Sequence, residues 1–432
     1  MGSMFKTLRN AFRIDDLRKR IVFTFFAMLI YRLGAAVPVP GISATAFAAL
    51  FQRFGQLGQF LQIISGTGGF RAVSIFSLGI QPYINASIIM QLLTVAIPYL
   101  ERLSKEGEVG RKKIQRITRY VTIGIALFMS TMYWTYTREA ASQVIPVWLS
   151  ALIVIGSFTA GSAFIMWLGE QINDKGIGNG ISVLIFIGIV SRLPSMLQAL
   201  YYSFLNWQAM KNSVLAILLT LLVVVVFVGI IALVVYIQSA ERKIPVQYAK
   251  RVVGRKIYGG QASYLPIKVN QSGVLPVIFA LQLMIMPSLL INLFGGTGKV
   301  AQWFNTFNEN PLYYLFYGLF IIGFTFFYSS INFNPQDIAN NIQKNGGFIP
   351  GIRPGRPTVD FIRGTAHRLT WFESVFLVFI VLLPSFLSLV TKTSSALWFG
   401  GTGVLIVVGV AMDIVNQLEA QMLMRHYKGF LD

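Results

Sequence analysis

The sequence predicts an all-α polytopic membrane protein with ten transmembrane helices, on three observations. Apolar stretches of bilayer-spanning length recur along the chain, and the basic residues collect in alternate loops. Of the 432 residues, 55% are hydrophobic and 12% charged, against roughly 25% charged in a typical soluble domain. Mean hydropathy is +0.64. Lys and Arg number 36 against 16 Asp and Glu, a formal net charge of +20. In so apolar a chain, that excess belongs to cationic loops.

Spans are read at 21–38, 73–97, 120–137, 147–168, 180–200, 213–238, 271–294, 312–331, 371–390 and 397–415. Met1-Gly2-Ser3-Met4 reads as a cloning scar before a native start at Met4. Lys6, Arg9, Arg13, Arg18, Lys19 and Arg20 then lead into a stretch too long for a signal-peptide core, hence an uncleaved first span. Before the second span, 55–72 mixes Phe60, Leu61, Ile63 and Ile64 with Ser65-Gly66-Thr67-Gly68-Gly69. It is too polar to cross and too apolar for a plain loop, and reads as a movable stopper entering from outside with its backbone sheltered.

Gln81, Asn85, Ser87 and Gln91 punctuate the second span, and Asn270, Gln271, Ser272 and Gln282 the seventh. Such uncharged polar groups suit interhelical hydrogen bonds, or a polar seam that aliphatic neighbours close by excluding water. Between the fourth and fifth spans, Gly176-Ile177-Gly178-Asn179-Gly180 lacks the spacing of a dinucleotide fingerprint and reads as a tight cytoplasmic turn. Arg192 and Pro194 interrupt the fifth span.

Assigned to alternate sides, 28 of the 36 basic residues fall on one face and 7 on the other, with Arg32 inside the first span. An even span count then leaves both termini cytoplasmic. Two cytoplasmic loops exceed what topology needs. Loop 239–270 carries Arg242, Lys243, Lys250, Arg251, Arg255, Lys256 and Lys268, and loop 332–370 carries Arg353, Arg356, Arg363 and Arg368 among Gly and Pro. Both suit an anionic partner, either acidic protein or RNA.

Enzyme chemistry has no constellation to rest on. There is no cysteine, His367 and His426 lie far apart, and no acid–base, nucleophile or metal-ligand pattern occurs, so neither catalysis nor a metal or cofactor is expected. Gly296-Thr297-Gly298-Lys299 is followed by Val300 where a phosphate loop needs Ser or Thr. An ion-coupled transporter would bury ionisable residues at mid-membrane, and Asp413 is the serious candidate. A small-solute transporter with a five-plus-five inverted repeat is therefore the alternative to a channel.

Several blocks in one order resemble the SecY family, the channel subunits of the bacterial Sec protein translocase. They are Ser74-Ile75-Phe76-Ser77-Leu78-Gly79-Ile80-Gln81-Pro82-Tyr83-Ile84-Asn85-Ala86-Ser87-Ile88, Met166-Trp167-Leu168-Gly169-Glu170-Gln171-Ile172, Gly176 to Ser182, Ala249-Lys250-Arg251, Leu265-Pro266-Ile267-Lys268-Val269-Asn270, Asn334-Pro335 and Pro350-Gly351-Ile352-Arg353-Pro354-Gly355. The resemblance runs from about residue 5 to 428. It implies two pseudo-symmetric five-helix halves, 1–208 and 209–432, forming a clamshell around a central pore. It also implies a pore ring of Ile80, Ile84, Ile181, Ile185, Ile278 and Ile406, and a plug over about 60–72 including Phe60, Ile64, Ser65, Gly66, Gly68 and Gly69. A lateral gate would include Asn85, Ser87, Asn270 and Gln271, and Lys250, Arg251, Arg255, Lys256, Arg353 and Arg356 would dock cytoplasmic partners. Implied partners are the SecE and SecG subunits, the SecA motor ATPase, the ribosome through its RNA, signal peptides, nascent chains and membrane lipids. The implied location is the bacterial plasma membrane.

Overall fold

The computed structural model describes residues 12–40, 74–137, 146–191, 193–210, 213–248, 251–253, 256–258, 262–293, 303, 307, 310–391 and 400–428. Helices dominate. In chain order they are α1 (Asp15–Gly34), α2 (Gln81–Ala96), α3 (Pro98–Lys105), α4 (Glu108–Thr137), α5 (Val147–Lys175), α6 (Gly180–Val190), α7 (Leu193–Met210), α8 (Ser213–Ser239), α9 (Leu275–Leu293), α10 (Pro311–Asn332), α11 (Pro335–Lys344), α12 (Arg356–Thr391) and α13 (Gly400–Lys428). Strands β1 (Glu241–Tyr248), β2 (Arg251–Val253), β3 (Lys256–Tyr258) and β4 (Ala262–Lys268) lie between α8 and α9, and β5 (Gly347–Phe348) follows α11.

Each expected span overlaps a helix. By length and apolarity, however, six described helices qualify to cross a membrane, or seven if α2 and α3 form one broken span. Three helices fall short for visible reasons. α1 opens on Asp15, Asp16, Arg18, Lys19 and Arg20 and carries Arg32 in its last turn. α4 spends Glu108–Arg119 on charge, and Tyr, Trp and Thr dilute the rest. The described apolar part of α9 is the short Leu275–Ile285.

By chain contacts the described residues form two compact units, the first within 1–201, 288–305 and 410–432, the second within 202–287 and 306–409. In the first, α5 packs on α1, α4 and α6, and α4 packs on α2. Its core holds Val39, Leu78, Met129, Val154 and Phe158. Pro98 denies α3 a continuing helix bond, and α3 turns 100° away from α2. Leu100 and Leu103 hold α3 down against Met90. The turn at 176–180 is built as its residues require. Gly178 takes φ of 86°, Asn179 Oδ1 caps α6 by accepting from Ile181 N–H at 3.1 Å, and Thr24 Oγ1 on α1 accepts from Ile177 N–H at 3.0 Å.

In the second unit α10 packs on α12, and a small β structure stands where the sequence suggested only loop. β1 pairs antiparallel with β4 from Glu241↔Lys268 to Gln247↔Ala262, and with β5 through Gln247↔Phe348 and Tyr248↔Gly347. Through β1, β4 and β5 the described parts of the basic loops 239–270 and 332–370 share one core. Ile244, Val246 and Ile267 of the sheet meet Ala339, Ile342, Ile349, Val359 and Ile362. The alternation of Ile244 with Val246 and of Leu265 with Ile267 was the available strand cue.

Candidate functional site

Ile80 and Ile84 sit a helical turn apart at the start of α2, Ile80 buried and Ile84 half-buried. The peptide bearing Ile80 is firmly held. Ser74 to Ile80 is a non-helical run in which Ser77 Oγ accepts from Ser74 N–H at 3.0 Å and Ser74 Oγ accepts from Phe76 N–H at 2.9 Å. Gly79 adopts φ of 56°, and Ser162 Oγ on α5 donates to its carbonyl at 3.3 Å. Phe76 stacks on Tyr31 of α1 at 5.9 Å and on Phe164 of α5 at 5.8 Å. Gly34 and Gly161 make room for this run. A Cβ on either would collide, with the Phe76 ring and with the Ile75 carbonyl respectively.

Ile181 and Ile185 occupy successive turns of α6, both half-buried, with Ile181 against Gly169 of α5. In the second unit Ile278 lies in the first turn of α9 and Ile406 in α13, each half-buried. The positions expected to form a plug, Phe60, Ile64, Ser65, Gly66, Gly68 and Gly69, lie outside the described residues.

Asn85 is buried on α2, its Nδ2 3.9 Å from Met129 Sδ on α4, and its Oδ1 has no hydrogen-bond partner among the described residues. Gln81 Nε2, one turn earlier on the same face, is also without one. Ser87, half-buried, accepts from Gln91 Nε2 at 3.4 Å. In the second unit, Asn270 Oδ1 accepts from Gly273 N–H at 2.8 Å, and Gln271 Oε1 accepts from Ser329 Oγ at 3.3 Å.

Of the cations expected to dock partners, Lys250 and Arg255 lie outside the described residues, and Arg251 and Lys256 fall on β2 and β3, in the register Arg251↔Tyr258 and Val253↔Lys256. Arg353 and Arg356 are exposed. Gly351 at φ of 82° and Gly355 at φ of 99° bracket Arg353, and Thr358 Oγ1 donates to the Arg353 carbonyl at 2.9 Å. The tip is therefore a set turn that leaves Arg353 exposed. On α3, Lys105 at 2.7 Å holds the exposed Glu101 carboxyl below its ordinary range through a hydrogen bond and its charge.

Two buried carboxylates received no role from the sequence. Glu170 on α5 accepts from Arg119 Nε at 2.6 Å and Gln115 Nε2 at 3.2 Å, tying α5 to α4. Glu373 on α12 accepts from Gln271 N–H at 3.2 Å and Ser272 N–H at 2.9 Å. An apolar flank beside an isolated Glu offered no spacing by which a sequence reader could pair it.

A family model described as SecY matches residues 74–415. The protein translocase subunit SecY of Halalkalibacterium halodurans is 44% identical over 441 residues, covering 99% of this chain and all of that protein. A solved structure described as a protein conducting channel superposes with a TM-score of 0.64 at 20% identity, covering 94% of this chain and 92% of the other. Sec61 in the canine ribosome-channel complex from the endoplasmic reticulum gives 0.59 at 19%, covering 94% and 92%.

Proposed function

We propose, from the premise that the chain belongs to the SecY family, a mechanism for its work as the protein-conducting channel of a translocase. The observation that carries this is the 44% identity, end to end, with a protein translocase subunit. A protein channel also gives the basic loops a purpose that a small-solute transporter using Asp413 would not.

Ten spans in two five-helix halves, 1–208 and 209–432, surround the pore. Ile80, Ile84, Ile181, Ile185, Ile278 and Ile406 form its constriction. Aliphatic side chains resist ions and water when the ring is empty and seal around a passing chain without selecting its sequence. The plug at about 60–72 covers the constriction from outside. The gate containing Asn85, Ser87, Asn270 and Gln271 opens sideways so that signal peptides and membrane helices leave for lipid. Hydrogen bonds between membrane helices average about 0.6 kcal/mol, enough to bias such a gate and too little to lock it.

The channel is passive, and energy comes from a cytoplasmic partner, SecA or the ribosome, or from the membrane potential. Lys250, Arg251, Arg255, Lys256, Arg353 and Arg356 attract that partner by charge. SecE and SecG complete the complex, nascent chains are its cargo, and it works in the bacterial plasma membrane with both termini cytoplasmic. Replacing Ile84 or Ile278 by Gly raises resting ion conductance in planar bilayers. Unchanged leak removes them from the constriction.

A further inference from the structure

Glu373 is fully buried, at 0% exposure, and neither the pore, the gate nor the docking loops employs it. Its oxygens divide between two consecutive amides, Gln271 N–H at Oε2 and Ser272 N–H at Oε1. The Ser272 hydroxyl donates to the same Oε1. Three donors of one turn thus converge on a carboxylate supplied by a helix a hundred residues away.

The two amides lie in the connection between β4 and α9, ahead of the first helical turn, and have no other acceptor among the described residues. Ser272 is 3% exposed, so water cannot readily replace the carboxylate, and its loss leaves buried donors unmet. The surroundings repeat the constraint. Gly273 holds φ of 67° while its N–H bonds Asn270 Oδ1. Ser329 Oγ donates to Gln271 Oε1 and lies 2.7 Å from Thr370 Oγ1, one turn before Glu373 on α12. On the other side of the turn, Val269 N–H bonds the Ala240 carbonyl at 3.0 Å and Lys268 pairs with Glu241. The turn is where the cytoplasmic hairpin becomes a membrane helix. A buried carboxylate with every contact directed at one backbone turn specifies a conformation more than it adds net stability.

The geometry points to Glu373 as a positioning residue for the gate. It fixes the register at which α9 leaves β4, and so holds Asn270 and Gln271 where the gate uses them. This rests on assigning Asn270 and Gln271 to the gate. Freeing the turn lowers the cost of opening, so poorly matched signal sequences gain access.

The test uses the full chain with its translocase subunits and motor in proteoliposomes. The readout is the ratio of translocation of a precursor with an intact signal sequence to that of the same precursor with a shortened hydrophobic segment. Glu373→Ala lowers the ratio about tenfold, and Glu373→Gln, which keeps one acceptor, about threefold. A purely structural carboxylate would reduce both precursors alike and leave the ratio unmoved. Asn270→Leu is measured beside them. An unchanged ratio in Asn270→Leu overturns the gate assignment and the inference with it. A changed ratio there, with an unchanged ratio in both Glu373 variants, overturns the inference alone. If Glu373→Ala does not assemble, Glu373→Gln decides on the same criterion.

Discussion

At the level of single residues, Ser74 to Ile80, which leads into the proposed constriction, is a backbone run fixed by hydroxyls, two small-residue gaps and one aromatic wedge. Gly161 is its sharpest dependence, because a methyl there meets the Ile75 carbonyl, a backbone atom that cannot rotate away. Gly161→Ala forces the run to shift. The cost is about 1–3 kcal/mol, as for overpacking a filled core, and Ile80 moves with it. The expected outcome is a lower melting temperature of the purified complex together with raised resting conductance; a lowered melting point with normal conductance would uncouple the run from the constriction. Ser74, Gly79 and Ile80 were recognisable in the sequence as parts of a matching block. Their anchor, Gly161 with Ser162, was not, because a Gly-Ser pair in an apolar helix has many reasons to be there. Glu170 and Glu373 were equally mute, since a lone acid declares no partner until the fold supplies one.

Among elements, the helices were legible because apolar stretches of about 20 residues admit few other structures. The bend between α2 and α3 follows from Pro98, and the cap of α6 from Asn179. The strands were not legible as such. The loop 239–270 reads as basic and irregular, since its inward residues Ile244, Val246 and Ile267 sit beside Pro245 and Pro266 in segments of eight residues or fewer flanked by charge. That core gives the loops proposed to dock partners a packed base. Gly347 belongs to it, since any Cβ there crowds Tyr248 and Ile342. Ile244→Ala removes about 2–5 kcal/mol from this element, the range for truncating a buried Ile. Limited proteolysis of the assembled complex should then cut within 239–270 at a markedly higher rate, while resting ion conductance stays at its original level. Equal cutting of both proteins would mean that the hairpin stands without the buried face.

At the scale of the whole molecule, the end-to-end relation to a protein translocase subunit and the fold shared with protein-conducting channels describe a membrane protein that carries other proteins. Composition had already excluded an ordinary soluble enzyme, and the split of 28 basic residues against 7 sets the expectation that both termini are cytoplasmic. What composition could not give was cargo, since the proposed constriction of Ile side chains has no site whose chemistry names a substrate. The direct measurement reconstitutes the chain in liposomes with SecE, SecG, SecA and ATP, and follows protection of a secretory precursor from added protease. Protection that requires ATP and is lost in Arg353→Glu, while that variant still inserts and assembles, is the predicted result. A correctly assembled complex that protects no precursor with ATP present would contradict the account.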